Sequence, residues 1–419
     1  MEINMKITLF ITPFIVGLVF ANHAPGANDA QLTQTIDEQK IYEFASKLAY
    51  SKDAVDLWVQ DKLPFAKYDG ELGWLLVDGH WKDGVDGSWS DYNYNGSHER
   101  KMINYADKPC RINSYGDSFT QCHQVSDGET WQEILAAHLG EPIRNFGVGG
   151  WSVYQAYLRM LREEKRVPAD VIIFNIWSDD HYRNLDAWRN IRVRAVGGFS
   201  EPTHPYVRVN LETGEFTQHP NPCPTKESCY NLCDVDWIVN RFKNDFAFRT
   251  QLAHEFASDQ QVDRTYDSVR EMAQTFGINT RIDSAENMNL SAHELHTKAA
   301  LYSSMRIVEM IETFAKETDK KVLYVLSANS IDVARMAREG TRFDQEFVDF
   351  MKEKGLPYVD LLEAHMADFA KYRIDVDGYL KQYYIGHYNP RGNFFHAWAM
   401  KDALVEMLNP KPYGYVDAK

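Results

Sequence analysis

The 419-residue chain is short of positive charge. Its 45 Lys and Arg stand against 60 Asp and Glu, a formal net charge of −15. Nucleic-acid binding draws much of its affinity from basic groups on phosphates, so no nucleic-acid partner is expected, and a strongly anionic polymer is an unnatural substrate. Long apolar runs are scarce too. After Ala21 no stretch approaches the ~20 apolar residues that span a bilayer as a helix, so no membrane association is expected beyond the leader. Cysteine is sparse and odd in number, at Cys110, Cys122, Cys223, Cys229 and Cys233, which leaves at least one thiol free or paired between chains. Cys110 and Cys122 lie at the two levels of one strand, roughly 15–20 Å apart at strand rise, too far to bridge. Cys223 with Cys229 or Cys233 is the better pair. A zinc site from this cluster with His219 is the weaker reading, and no metal or cofactor is expected.

What is present is an ordinary globular composition, 44% hydrophobic and 25% charged, with chain enough for a sizeable core. The length predicts one elaborated domain or two. Lys6 precedes the apolar run Ile7 to Ala21, and Val19-Phe20-Ala21 offers a cleavage site. Residues 1–21 therefore read as a secretory signal peptide, and the mature protein is expected to be secreted or periplasmic. Residues 22–108 read as an N-terminal extension: a polar stretch, a helical pattern over Ile41 to Val59, then short strands and turns. In this last part Gly70, Gly73, Gly79, Gly84, Gly87 and Gly96 interrupt Trp74, Trp81, Trp89, Tyr92 and Tyr94. These aromatics either line a sugar-binding cleft or make the core of a small β layer.

Residues 109–410 read as an α/β catalytic domain. Strands are predicted at Arg111–Tyr115, Ile143–Phe146, Val171–Ile176, Val322–Leu326 and Pro357–Val359. Helices are predicted at Thr130–Leu139, Val153–Arg166, Thr297–Glu317, Asp344–Lys354 and about Phe394–Leu408. The alternation implies a parallel sheet with right-handed crossovers. An insertion from His181 to Ser291 is too long for a loop. It reads as a cap over the site, with a hairpin of Tyr206–Leu211 and Glu215–Gln218 turning at Glu212-Thr213-Gly214, and a helical stretch near Phe242–Phe256.

One local motif organises the rest. Arg111 to Tyr115 is a strand, Gly116 a sharp turn, and Ser118 a hydroxyl at the start of a helix, just past the carboxyl end of a parallel strand, where open α/β sheets place their chemistry. Gly116-Asp117-Ser118 resembles the nucleophile block of the SGNH (GDSL-type) hydrolases. Asn145-Phe146-Gly147-Val148-Gly149-Gly150 resembles the glycine block, Val171 to Asp180 the third block, and Gly386-His387-Tyr388-Asn389-Pro390-Arg391-Gly392-Asn393 the histidine block. With Phe119-Thr120 after the first block and Gly73-Trp74 upstream, the chain is similar to large secreted members with an N-terminal extension. The resemblance implies a flavodoxin-like sheet of about five strands with helices on both faces. It also implies Ser118 as nucleophile, His387 as base, and the backbone N–H groups of Ser118 and Gly150 as oxyanion donors. Asp117 reads as structural, holding the turn.

Two positions depart from the family pattern. Tyr384 stands where an Asp three residues before the His is usual. Ser178 or Asp179 stands where the oxyanion Asn of the third block is usual, with Asn175 as a substitute. An ionised Asp only accepts hydrogen bonds, so Ser178 is the better donor. With no Asp at 384, the residue orienting His387 is sought among Asp375, Asp377, Asp179, Asp180 or a backbone carbonyl, and Tyr384 itself is a candidate participant. The chain thus reads as an exported serine esterase that removes acyl groups such as acetate from a carbohydrate or small ester. Acyl transfer or other non-hydrolytic chemistry on the same scaffold, and a degenerate glycan-binding protein, are the alternatives. Oligomeric state is not legible.

Overall fold

Val171–Trp177 and Lys321–Ser327 are nearly continuous apolar runs, the pattern of strands covered on both faces, and they form the centre of the sheet. In the computed structural model, which describes residues 38–193, 201–256, 270, 273 and 285–416, five parallel strands pair: β1 (Ile112–Tyr115), β2 (Arg144–Asn145), β3 (Val171–Trp177), β4 (Lys321–Ser327) and β5 (Tyr358–Asp360). Their spatial order is β2-β1-β3-β4-β5, the flavodoxin-like order that was expected. Register aligns Ile112 with Val171 and Val171 with Lys321. Residues 1–21, the expected leader, and the polar residues 22–35 lie outside the described residues.

Alternate residues of each strand enter different cores. Val171, Ile173, Leu323 and Val325 pack on one face with Phe119, Trp131, Leu135, Met400 and Leu404. Ile172, Phe174, Ile176 and Tyr324 pack on the other with Tyr115, Met160, Ile307, Ile311 and Val348. The helices between are α1 (Ser118–Gln121), α2 (Trp131–Leu139), α3 (Val153–Arg166), α4 (Ala285–Glu317), α5 (Ser330–Glu339), α6 (Gln345–Glu353), α7 (Leu361–Phe369), α8 (Val376–Leu380) and α9 (Pro390–Met407). Their ends are set locally. Ser152 and Gln155 form a capping box at α3, and Asn389 caps α9 with Pro390 at its first turn, both favoured solutions for orphan N–H groups.

Departures from the sequence reading have physical causes. α4 begins at Ala285, well before the expected Thr297. α5 was not expected: Val333 is buried with Ala334 and Met336 packed partly buried against the same core, and the start is marked by the Asn329 cap. The pattern over Ile41 to Val59 is two helices, Glu38–Leu48 and Lys52–Val59. The insertion's hairpin is present as Tyr206–Asn210 and Glu215–His219, and its helical stretch is Val235–Phe242 followed by Phe246–Glu255.

The chain forms two compact units. One comprises Met1–Ala54, Trp188–Glu201 and Asn231–Leu295; the other comprises Val55–Ala187, Pro202–Tyr230 and His296–Lys419. Within the described part of the first, Phe44 meets Phe248 edge-on at 4.8 Å, Tyr50 meets Trp188 at 5.1 Å, and Asn190 donates to the Leu48 carbonyl. The second holds the sheet, the aromatic-rich segment from Ala66 to Arg100 and every residue of the site below. In that segment Trp74 and Tyr92 are buried, whereas Trp89 is 57% exposed.

The cysteine expectations divide. Cys110 and Cys122 are thiols, not bridged. Cys229 is also a thiol, its sulfur on the Thr225 carbonyl, so of the two pairings expected for Cys223, with Cys229 or with Cys233, the one with Cys229 is not formed. Cys122 is buried, and burial raises its thiol to about 12; it stays protonated and unreactive.

Candidate active site

β1 delivers the Gly116-Asp117-Ser118 turn. Gly116 has φ +152, and a Cβ there would lie 2.2 Å from Thr120 Oγ1 and 2.7 Å from the Asn175 carbonyl, so the turn requires glycine. Asp117 caps α1, its Oδ1 accepting the Phe119 N–H at 2.9 Å. Ser118 follows, 6% exposed. From the far end of the chain, the loop between α8 and α9 brings His387 Nε2 to 2.8 Å from Ser118 Oγ. The glycine block lies alongside: a Cβ on Gly149 would be 3.6 Å from that of Ser118. The Gly149 N–H is taken by Gln121 Oε1 at 2.9 Å. No bond from the Gly150 N–H appears among those of the described residues, and Gly150 has φ +84.

Among the described residues, the other ring nitrogen of His387 meets no carboxylate. Nδ1 lies 3.3 Å from the side-chain oxygen of Gln124, which also accepts the His387 backbone N–H at 2.8 Å. The Gln124 amide nitrogen donates to the Asp83 carbonyl at 3.2 Å, and the Gln124 backbone N–H donates to the Tyr92 hydroxyl at 2.6 Å. Tyr92 in turn donates to Asp83 Oδ2 at 2.8 Å. His123 Nε2 lies 3.4 Å from the same carboxylate oxygen, and its ring is 4.9 Å from that of His387. Burial would raise Asp83, but the bonds from His123, Tyr92 and Ser90 outweigh it and hold the carboxyl low.

A buried cation braces this loop. Arg100 pairs with Asp127 at 2.8 Å and donates to the carbonyls of Gln121 (2.6 Å), Cys122 (2.8 Å) and Val125. A second cation, Arg183, sits beside the Gly116-Asp117-Ser118 turn. It bonds Asp180 Oδ1 at 2.8 Å, Asp179 Oδ2 at 2.9 Å and the Trp151 carbonyl at 3.1 Å, and lies 3.8 Å from Asp117 Oδ2. Burial raises Asp117, with Arg183 opposing, and raises Asp180 further, with Asp117 adding.

Of the residues singled out in the sequence, Ser118, His387 and the Gly149–Gly150 turn come together. The others are engaged elsewhere. Ser178 Oγ donates to Asp332 Oδ2 at 2.6 Å. Asp179 serves Arg183. Asn175 is buried and accepts from Ser327 Oγ at 2.6 Å, while its Nδ2 has no partner among the described residues. Tyr384 donates to the Ala328 carbonyl at 3.0 Å and meets His365 Nε2 at 3.0 Å. It anchors the histidine loop to the end of β4, and burial pushes its phenol far above its usual range. Asp377 is exposed, paired with Arg338 at 2.6 Å, and Asp375 caps α8. Neither bonds His387. Gln124, Arg100, Asp83 and Arg183 were missed, and Tyr92 was read only as one of the aromatics of the N-terminal extension; of the missed residues only Arg183 has a local signal, standing three and four residues after Asp180 and Asp179 on one helix face.

Chemically the pair is set for proton transfer. Nδ1 faces an acceptor, so it carries the proton, and Nε2 presents a lone pair to the Ser118 hydroxyl. Burial is the first cause that holds His387 well below its ordinary range, with His123 and Arg183 adding to it; the ring is neutral at pH 7 and can act as a base. Among the described residues no group of three or more His, Cys, Asp and Glu could hold a metal ion, and no helix is long and apolar enough to cross a membrane.

No family model and no curated protein matches the chain. Solved structures do align with it. A putative lipolytic protein of the G-D-S-L family from Desulfitobacterium hafniense is 11% identical, over 70% of this chain and 98% of that one, with a TM-score of 0.31. An alpha/beta hydrolase from the metagenome of Lake Arreo, Spain, is 13% identical over 71% and 93%, with a TM-score of 0.32. An acetyl xylan esterase from the rumen bacterium Butyrivibrio proteoclasticus is 10% identical over 74% and 67%, with a TM-score of 0.28. The chain's own strand order is flavodoxin-like, with Ser118, the Gly149–Gly150 turn and Asp179–Asp180 past the carboxyl ends of β1, β2 and β3.

Proposed function

We propose that the chain is a serine ester hydrolase that removes acyl groups from a carbohydrate or small ester outside the cytoplasm. The single observation that carries this reading is the 2.8 Å contact of His387 Nε2 with Ser118 Oγ at the end of β1. In the proposed cycle Ser118 Oγ bonds the acyl carbon while its proton passes to Nε2. The Gly150 and Ser118 N–H groups take the developing oxyanion. Collapse expels the alcohol, which leaves with the proton from Nε2. A water then gives its proton to Nε2 and its oxygen to the acyl carbon, and the acid departs as Ser118 is reprotonated.

The carbohydrate preference rests on an open groove of about 330 Å³ lined by Val77, Asp78, Tyr94, Asn95 and His98. An aromatic ring with convergent polar groups suits a sugar. The groove adjoins the oxyanion turn, because Tyr94 OH accepts from Gln121 Nε2 at 3.1 Å and Gln121 Oε1 holds the Gly149 N–H. The test is release of free acid from a chromogenic acetyl ester and from a panel of acetylated glycans, by the parent protein and by Ser118→Ala. Hydrolysis that falls by several orders of magnitude in Ser118→Ala, at an unchanged thermal midpoint, is expected. Full activity in that variant would reject the nucleophile, and acyl appearing on an added acceptor instead of as free acid would reject hydrolysis.

A further inference from the structure

We propose that Gln124 is the residue that positions His387 for proton transfer, in the place that a catalytic triad ordinarily gives to a carboxylate. This deepens the reading of Ser118 and His387 as the reacting pair and rests on it. Gln124 Oε1 receives two N–H groups of the same histidine, the backbone N–H at 2.8 Å and Nδ1 at 3.3 Å. The two fix both the place and the tilt of the ring. The amide cannot be turned over, because its nitrogen is spent on the Asp83 carbonyl while two donors face its oxygen.

The backbone shows the same commitment. Gln124 has φ +74 and Cys122 has φ +60. Left-handed conformations in residues with a side chain are strained and persist only where the surroundings over-determine them. Here they do. Arg100 holds the carbonyls of Gln121, Cys122 and Val125, and the Tyr92 hydroxyl holds the Gln124 N–H. The aromatic segment before β1 thus acts on the catalytic histidine through one amide. The charged and titratable groups around His387 are Ser118, His123 with its partner Asp83, and, further off, Arg183 and Asp117. Among the described residues no carboxylate bonds Nδ1.

A neutral amide can select the tautomer that leaves Nε2 free, but unlike a carboxylate it contributes no charge to stabilise the imidazolium. That difference gives a readout that a merely structural role would not move. The full chain and its Gln124→Ala and Gln124→Glu variants are reacted with a fluorophosphonate across pH, and Ser118 labelling is located by mass spectrometry. Gln124→Ala should label roughly a hundredfold more slowly at pH 7, within the range general-base catalysis contributes, with its thermal midpoint little changed. Gln124→Glu should retain labelling, with its acid limb moved to higher pH, because an anion at Nδ1 favours the protonated ring. Labelling of Gln124→Ala as fast as the parent, or an unmoved limb in Gln124→Glu, would overturn the assignment; if Gln124→Ala does not fold, the limb of Gln124→Glu decides. A parent protein whose Ser118 is never labelled sinks the ester-hydrolase reading instead, so the two failures are separable.

Discussion

Gly386 sits so close to Gln124 that a Cβ on it would lie 2.8 Å from the amide Oε1. Its φ of +122 also excludes most side chains. The glycine before His387 therefore serves an approach of two loops as well as a bend. Gly386→Ala should push Gln124 off the His387 ring. Displacing a positioning group by about 1 Å costs on the order of a hundredfold in rate, whereas the strain costs roughly 1–3 kcal/mol. Turnover is expected to collapse in protein that still melts cooperatively, as read by a rate assay beside a thermal melt.

Tyr384 and Ser178 should behave as structural residues. Tyr384→Phe leaves the buried Ala328 carbonyl without its donor, a loss of about 1–3 kcal/mol, while the His387–Ser118 contact survives. Ser178→Ala removes a bond to Asp332 and should leave kcat nearly unchanged. A fall of roughly 10²–10³ in Ser178→Ala, the size expected for a lost oxyanion donor, would show that its hydroxyl turns toward the substrate.

Activity should persist in mild acid. As the proposed base His387 must be deprotonated, and burial, then His123 and Arg183, lower it below the ordinary value of 6.5. The acid limb of kcat/KM is therefore expected below pH 6.5. His123→Gln removes one of the lesser causes and should move the limb upward, though only part of the way, because burial remains. A limb centred above 6.5 in the parent would contradict this electrostatic picture.

Arg183 should be indispensable to the fold of the nucleophile turn. It is 4% exposed and pairs with Asp180 and Asp179 beside Asp117. Breaking a buried pair from one side costs about 3–5 kcal/mol, because the partner is left charged and buried. Arg183→Met should lower the denaturant midpoint strongly, and Arg183→Lys should restore it only in part, since a single ammonium cannot reproduce the guanidinium fork.

His396 offers a stabilising change. It is fully buried, stacked on Trp131 at 5.0 Å, and neither ring nitrogen has a partner among the described residues. Burial, with His365 adding, lowers it to about 3. Between about pH 3 and 6.5 the unfolded chain binds a proton there that the folded chain does not, so stability falls as pH falls, by about 1.4 kcal/mol per pH unit from this group. His396→Phe keeps the stack and removes both penalties. Its unfolding free energy should exceed the parent's at pH 7, and the gap should widen at pH 5; a constant gap would show that the ring is not held neutral.

The sequence by itself determined the elements whose signal is local. β3 and β4 are apolar runs because both faces are covered, α3 carries its own capping box, and Gly116-Asp117-Ser118 is a turn that three residues specify. His387 was legible only through the resemblance of Gly386 to Asn393 to a histidine block; the helix beside it starts at Pro390 under the Asn389 cap, before the expected Phe394. The residue that holds His387 was not legible. Gln124 and His387 are 263 positions apart, and an amide in a loop has no period, spacing or charge that advertises its partner. None of the expected carboxylates reaches His387: Asp179 and Asp180 bond Arg183, Asp375 caps α8 and Asp377 pairs with Arg338. Arg100 was silent in the same way: a lone arginine among aromatics becomes a brace only when tertiary packing buries it against the carbonyls of a left-handed loop, where each unbonded group would be costly.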